Sequence, residues 1–222
     1  MEAQVNTTLN AEVIKEEEML TALVPGEVVA ILELIITDKD GNITEKRAIK
    51  SESFVRQFMD LLYIAITSTY TSNTYSIRDT GNVLRNCYKE VWPAMNPPFR
   101  SDAGAGAVTH GIVVGTGAVA PTINDYALGA IIAHGVGAGQ LQYSAMTFGA
   151  PASDSTTSQF TLTRNFANGS GGAITVNEIG LYVISYDGGA KYFMAIRDVI
   201  AGGISVPNGQ TLTVNYRIQA VV

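Results

Sequence analysis

The sequence predicts a mainly β protein, an antiparallel β-sandwich or jelly-roll-like domain with one packed α-helix and an N-terminal arm. Three observations lead to this prediction. A β-hairpin signal lies near the start, apolar residues recur at helical spacing in one place, and the last third alternates apolar and polar residues between turn signals. The chain of 222 residues is long enough for one large domain. We expect a single β-rich domain over residues 26–222.

The first elements are an arm and a hairpin. Residues 1–25 are polar at first and then form a short amphipathic stretch that ends at Pro25. We expect either a docking helix or a mobile end there, and in an assembly an arm that reaches a neighbour. An apolar run over 28–37 then precedes turn-forming residues 38–42 and a more polar run. Since Asp and Asn close turns readily and Gly41 supplies a positive φ, a β-hairpin is predicted.

The turn DKDGN at 38–42 also suggests a calcium loop, because alternate oxygen side chains can ligate a hard cation. The spacing does not fit an EF-hand. With Asp38 in the first position, the glycine position holds Ile43 and the twelfth position holds Ile49. We therefore interpret the segment as a hairpin turn and assign no metal ligands.

Helical periodicity follows the hairpin. Phe54, Phe58 and Leu61 recur at spacings of four and three residues, which predicts one amphipathic helix from about 53 to 67. Either Ser51 or Ser53 is available as its N-cap. Residues 70–102 then mix turn-formers and aromatic residues, and we expect an irregular excursion there.

The last third contains the clearest strands. The runs AITVNEIGLYVIS, KYFMAIRDVI and QTLTVNYRIQAVV are separated by turn signals at 187–189 and 207–209. In the last run, Leu212, Val214 and Tyr216 alternate with polar residues, as in a strand with one buried face. Tight turns between successive strands predict an antiparallel meander.

Residues 111–132, GIVVGTGAVAPTINDYALGAII, begin like a dinucleotide-binding loop, in which glycines let the backbone approach a pyrophosphate. Two features argue against that interpretation. Pro121 disfavours helical geometry at the residue before it, and no acidic residue lies about 20 positions further on. We expect a buried strand that ends at Gly115 and Gly117, followed by a short helix or an extended segment, and no cofactor.

The other residues with chemical potential form no recognisable motif. His110 and His134 are the only histidines, and neither lies in a metal-binding or catalytic pattern. The single thiol, Cys87, has no nucleophile motif around it. We therefore expect that neither histidine binds a metal ion or acts as a general base.

A carboxylate pair could be imagined from Glu178, Asp187 and Asp198. Asp187 is better explained by its turn. Asp198 is better explained by a hydrogen bond at a strand end or an ion pair with the adjacent Arg197. We assign no catalytic, cofactor-binding or metal-ligating residue and expect a protein that is not an enzyme.

Composition limits the partners further. Charged residues make up 15% of the chain, and the net charge of −6 comes from the first 60 residues, which hold twelve acids and six bases. No basic stripe exists to neutralise phosphates, so we expect no nucleic-acid partner. No apolar run approaches the length of a membrane span, so we expect no membrane partner either. Between 103 and 163 only Asp125 and Asp154 carry charge, which suits a surface buried in an assembly.

Two stretches resemble structural proteins of tailed bacteriophages and related archaeal viruses. Residues 28–66 resemble openings in which a β-hairpin leads into a K-S-x-S-F-V-x-x-F helix. Residues 111–222 are similar to virion proteins with a G-T-G-x-x-x-P-T-x-x-D-x-x-L segment, an E-I-G-L-[FY] strand and an alternating terminal strand.

The resemblance implies a virion component of the head surface, neck or tail, synthesised in the host cytoplasm. Its partners would be copies of itself and other virion proteins. The alternative is a β-sandwich that binds a host surface glycan or receptor, in which Trp92 and the tyrosines would stack on sugar rings.

Overall fold

The computed structural model describes residues 26–51, 54–67, 76–87 and 99–222. The arm predicted over 1–25 lies outside these ranges. Within them the chain is mainly β, with antiparallel sheets and one helix, which confirms the predicted fold class. The finer assignment to a sandwich or jelly roll stays a prediction.

Twelve strands and one helix make up the described part of the chain. In chain order they are β1 (Val28–Thr37), β2 (Ile43–Ser51), α1 (Arg56–Thr67), β3 (Ser76–Arg78), β4 (Leu84–Asn86), β5 (Gly111–Gly115), β6 (Gln142–Tyr143), β7 (Thr147–Phe148), β8 (Ala152–Ser153), β9 (Thr157–Ala167), β10 (Ile174–Tyr186), β11 (Ala190–Val206) and β12 (Thr211–Val221).

The predicted hairpin is confirmed as β1 and β2, which pair antiparallel. Asp38 closes the turn between them, since its Oδ1 accepts the backbone N–H groups of Asp40 and Asn42, each at 2.9 Å. Gly41 has a φ of 84°, as the turn requires.

The strands form two main sheets. Sheet A has the order β2-β1-β12-β9, and the short strands β6, β7 and β8 pair in turn along the far edge of β9. Sheet B has the order β11-β10-β5. All the pairs are antiparallel.

The predicted meander is wrong in its last step. Strands β10 and β11 pair as a hairpin in sheet B, but β12 pairs with β1 and β9 in sheet A. Part of the outer edge of β11 is already occupied, because its carbonyls at Ala195 and Tyr192 accept N–H groups from Val55 and Thr80. Gly202 and Gly203, with φ of 75° and 65°, lie where the register of β11 against β10 shifts, and β11 remains paired with β10 as far as Val206.

The predicted helix is confirmed, although it begins at Arg56. The proposed N-cap at Ser51 is wrong, because Ser51 is the last residue of β2, and Ser53 lies outside the described residues. The Arg56 N–H group donates instead to the carbonyl of Ile123. Leu61 and Ile64 are buried and anchor α1 to the core.

The excursion predicted over 70–102 is more regular than expected where the structure describes it. Residues 76–87 contain a small hairpin of β3 and β4. Asp79 organises its turn, because its Oδ1 accepts the N–H groups of Gly81 and Val83 and its Oδ2 accepts a charged hydrogen bond from Arg85. Residues 88–98, which include Trp92, lie outside the described residues.

A single hydrophobic cluster joins the two sheets. Sheet A contributes alternate residues such as Leu32, Val214 and Phe166, and sheet B contributes residues such as Ile179 and Phe193. This shared core fixes how the loops after β5 approach β10. The one described helix is too short to cross a membrane.

Candidate functional site

The most unusual group of charges surrounds Glu178 in the middle of β10. Its neighbour across sheet B on one side is Gly115 of β5, and on the other side it faces Val199 of β11. Glu178 is completely buried. A buried carboxylate is costly unless charges and hydrogen bonds satisfy it.

Backbone N–H groups from the glycine-rich segment supply three of those hydrogen bonds. Gly117 donates to Oε1 at 3.0 Å, Ala130 donates to Oε1 at 2.9 Å, and Gly129 donates to Oε2 at 3.1 Å. The chain thus contacts the carboxylate at Gly117, directly after β5, and again at Gly129 and Ala130.

Arg197 of β11 completes the group. Its Nε and Nη2 donate to Oε2 of Glu178 at 3.1 and 2.8 Å, and its Nη1 donates to Oδ2 of Asp125 at 2.6 Å. Its Nη2 also donates to the carbonyl of Val119. We call Glu178, Arg197, Asp125 and the three N–H groups the Glu178 cradle.

The glycines of the opening motif are required by this cradle. A Cβ atom at Gly115 would lie 2.6 Å from the Ala130 carbonyl and 2.7 Å from Glu178 Oε1, and a Cβ atom at Gly117 would overlap the same carboxylate. The segment therefore does bind an anion through its backbone, as a phosphate loop does, but the anion is the chain's own side chain. The interpretation of Gly115 as the end of a buried strand is confirmed. Residues 116–130 form an irregular loop with turns, neither the predicted short helix nor an extended segment, and Ile131 then makes a bridge to Gly115.

The electrostatics of the cradle follow from these contacts. Burial alone would raise the pKa of Glu178, but the N–H groups of Ala130 and Gly129 and the guanidinium of Arg197 hold it below its ordinary value. The pKa of Asp125 is lowered in the same way, by the Thr122 backbone and by Arg197 against the opposing effect of burial. Both carboxylates are therefore ionised at neutral pH, and they share the single positive charge of Arg197.

A second buried charge lies at the other side of the glycine-rich loops. Arg164 of β9 has no measurable exposure and donates hydrogen bonds to five backbone carbonyls. The acceptors are Ser144, His110, Ile112, Gly104 and Ala107, at 2.7 to 3.3 Å. Its guanidinium carbon lies 4.8 Å from the centre of the Tyr143 ring. Burial lowers the pKa of Arg164 to about 10, so it remains charged at neutral pH.

The predicted ion pair of Asp198 with Arg197 is wrong, whereas Asp198 does make a hydrogen bond, in the middle of β11 and not at a strand end. The two residues are neighbours in β11 and point to opposite sides, and Asp198 accepts the hydroxyl of Tyr216 at 2.7 Å within the core. Burial raises the pKa of Asp198. Asp187 belongs to its turn as expected, since its backbone N–H donates to the carbonyl of Gly189.

The histidines and the cysteine have separate surroundings. His110 stacks on Tyr192, with ring centres 5.8 Å apart, and His134 accepts the backbone N–H of Tyr143 through Nδ1 at 3.0 Å. Cys87 is buried, and its burial raises the pKa of the thiol to about 12. At neutral pH Cys87 is a protonated thiol inside the protein.

A polar cleft of about 470 Å³ lies beside α1 and is lined by Arg56, Asp60, Arg78 and Asn124, among others. Its charges are engaged locally, because Arg56 pairs with Asp60 at 3.2 Å and Arg78 bonds to Asn82. Among the described residues no group of three or more His, Cys, Asp and Glu side chains could hold a metal ion.

Sequence reasoning did not find the Glu178 cradle or Arg164. A signal for both was present, because each interrupts an apolar row. Glu178 continues the buried row of Ile174 and Val176, and Arg164 lies between Leu162 and Phe166 on the inward face of β9. A charge in such a row predicts a buried partner, but not which partner.

Comparison of the chain with protein-family models, curated proteins and solved structures gives no match.

Proposed function

We propose that this chain is a non-enzymatic structural subunit of a virus particle, which assembles with copies of itself and with other particle proteins. The proposal rests on the resemblance of two stretches to phage structural proteins and on the surface of residues 103–163. That surface is the observation that carries it.

The 103–163 surface combines exposed apolar side chains with almost no charge. Six large apolar side chains are exposed there: Val119, Ile123, Ile131, Val136, Phe148 and Phe160. Arg197 pairs with Asp125, and Asp154 is held by the backbone and hydroxyls of Thr156 and Thr157. Exposed apolar groups in a segment with so few charges favour protein contacts over water.

Two apolar areas on this surface belong to different sheets. Val119 and Ile123 lie in the loop after β5 of sheet B, whereas Phe148 and Phe160 lie on β7 and β9 of sheet A. A subunit with separate contact areas can join neighbours on more than one side, as rings and lattices require.

The free edge of sheet A is a poor candidate for these contacts. Strand β2 forms that edge and carries Lys46, Arg47 and Lys50. Charged side chains on an edge strand disfavour pairing with another sheet. We therefore assign assembly to the 103–163 surface.

The cradle supports the proposal because it gives the loops a fixed shape. Glu178 and Arg197 hold Gly117, Val119, Gly129 and Ala130 by hydrogen bonds to their backbone. Charges that in an enzyme would face a substrate are here directed inward at the chain itself. A preorganised loop loses less entropy when it enters an interface.

Electron microscopy and light scattering of the purified full chain test this proposal. We expect rings, tubes or lattices, and we expect Ile123→Asp and Phe148→Asp each to weaken association by about tenfold or more. Ile43→Asp is the matched control, because Ile43 is similarly exposed but lies on the charged edge strand. A chain that stays monomeric at high concentration would contradict the proposal, and saturable binding on a glycan array without assembly would favour the glycan-binding alternative.

A further inference from the structure

The outer face of sheet A is unexpectedly buried at one end. The core between the sheets takes Ala30, Leu32 and Leu34 from β1, so Val29 and Ile31 point to the opposite face. Yet Val29 is only 4% exposed and Ile31 only 1% exposed. An antiparallel sheet with one packed face normally leaves its other face in water.

The neighbouring strands show that this burial is local. Further along the same face, Thr213 and Asn215 of β12 are only half-buried. Beside Val29, in contrast, Gln219 is 5% exposed. Its Oε1 atom is buried and has no hydrogen-bond partner among the described residues. A buried acceptor of this kind requires a donor from another segment.

The chain outside the described ranges ends beside this area. Gly26 donates its N–H to the carbonyl of Val221, and Val28 pairs with Ala220. With a φ of 88°, Gly26 places a turn directly before β1. The described chain therefore begins, at Gly26, beside the end of sheet A where the outer face is buried.

The sequence of the entering segment complements that face. Residues 12–25, EVIKEEEMLTALVP, combine apolar residues with four glutamates. The face carries apolar Val29 and Ile31, and beside Ile31 lie the cations Arg217 and Lys50, of which Lys50 also pairs with Glu27 at 2.9 Å. Fourteen residues in a helix span about 21 Å, which approximates the width of four strands spaced about 4.8 Å apart.

We propose that residues 12–25 of the same chain bind the outer face of sheet A over Val29, Ile31 and Gln219. The same chain is the favoured source because the segment is attached at the edge of the face, which gives it a high effective concentration there. This contact closes the outer face of sheet A and leaves the 103–163 surface open. The inference does not depend on the proposed assembly function.

Limited trypsin digestion of the full chain tests the contact. Lys15 is the only Lys or Arg before Lys39, so a cut after Lys15 gives one diagnostic change in mass. We expect slow cleavage in the native chain and cleavage about tenfold faster in Leu20→Asp/Leu23→Asp, because the docked segment must open before it is cut. Leu9→Asp, outside the docked segment, is the control and should leave the rate unchanged.

Two results would overturn the proposal. One is cleavage of the native chain at Lys15 as fast as in the double variant. The other is protection that appears only at high protein concentration, which would show that a second copy supplies the segment. Circular dichroism of each variant checks that the sheets are intact, and the substitutions lie in the segment, not in a strand of either sheet. A variant that no longer assembles but whose Lys15 is still protected from trypsin would contradict the proposed function and not the docking of residues 12–25.

Discussion

At the scale of single residues, Glu178 shows how a buried charge organises this protein. Its carboxylate accepts three backbone N–H groups and two N–H groups of Arg197. The alternative to this arrangement is an unpaired anion in an apolar core, which no protein sustains without a large cost. The residue therefore dictates the path of the loop after β5.

We predict that Glu178→Gln destabilises the protein at neutral pH by about 3 kcal/mol, because it leaves part of the Arg197 charge uncompensated. The loss is smaller at low pH. The folded pKa of Glu178 lies below its ordinary value of 4.5, so its contribution is complete above pH 4.5 and disappears as the pH falls through the folded pKa.

Urea unfolding of both proteins across the acid range measures this effect, and the two free energies of unfolding should converge as the pH falls. Glu45→Gln is the control, because the pair of Glu45 with Arg47 is half-exposed and contributes little. A pH-independent difference between Glu178→Gln and the native protein would contradict the assigned role.

A second prediction concerns the glycines of the cradle. Gly117→Ala would place a methyl group inside the space of the Glu178 carboxylate, and we expect a loss of stability of about 2 kcal/mol. Gly104→Ala is the matched control, since a Cβ atom there meets nothing within 4 Å. Thermal unfolding should separate the two variants. Equal midpoints would show that the Gly117 position has room to adapt.

At the scale of elements, Arg164 connects strand β9 to strand β5 and to the loop before it. The carbonyls of Gly104, Ala107, His110 and Ile112 all point towards its guanidinium. Arginine suits this position because its planar group presents five N–H donors at once. One side chain thereby ties the loop before β5 to sheet A.

We predict that Arg164→Met destabilises the protein by about 3 kcal/mol or more, because several buried carbonyls lose the hydrogen-bond donors of Arg164. Arg164→Lys should be intermediate, because lysine keeps the charge but has three donors. Hydrogen exchange should accelerate first in residues 104–112. Arg100→Met serves as control, because Arg100 pairs with Asp102 at the surface, and equal effects of Arg164→Met and Arg100→Met would refute the role of Arg164.

Strand order is also decided at this scale. Strand β12 carries an ordinary alternating pattern that would allow it to pair in either sheet. It pairs with β1 and β9 because Val55 and Thr80 occupy carbonyls on the outer edge of β11. No local property of β12 distinguishes these possibilities.

At the scale of the whole molecule, one hydrophobic cluster includes residues of both sheets and of α1. Such a core has no internal boundary along which one part could melt first. We predict that residues 26–222 unfold in one cooperative transition, with a calorimetric enthalpy equal to the van't Hoff enthalpy. Two resolved unfolding transitions in the full chain would instead show that residues 26–222 contain more than one domain.

The molecule also separates its charged and uncharged surfaces. The edge strand β2 is rich in cations, and the 103–163 surface is nearly free of charge. If the chain assembles as proposed, this separation directs contacts, because charges oppose them on one side while apolar groups promote them on another.

Sequence patterns were sufficient to predict the elements whose signals are local. The β1–β2 hairpin with its Asp38 turn, the helix after it and the long strands β10, β11 and β12 all follow from periodicity and turn chemistry within short windows. Pro121 and the missing acidic residue also argued against a dinucleotide site at residues 111–132, but they did not reveal the role of the glycines.

The contacts between charged groups follow instead from the three-dimensional packing. Glu178, Arg197 and Asp125 are separated by up to 72 residues in the chain, and Arg164 reaches carbonyls up to 60 residues away. Their contacts depend on the packing of β5 against β10 and of sheet A against sheet B. A short stretch of sequence can show that a charge will be buried and will need a partner. It cannot show which residue is that partner, because the fold brings the two together.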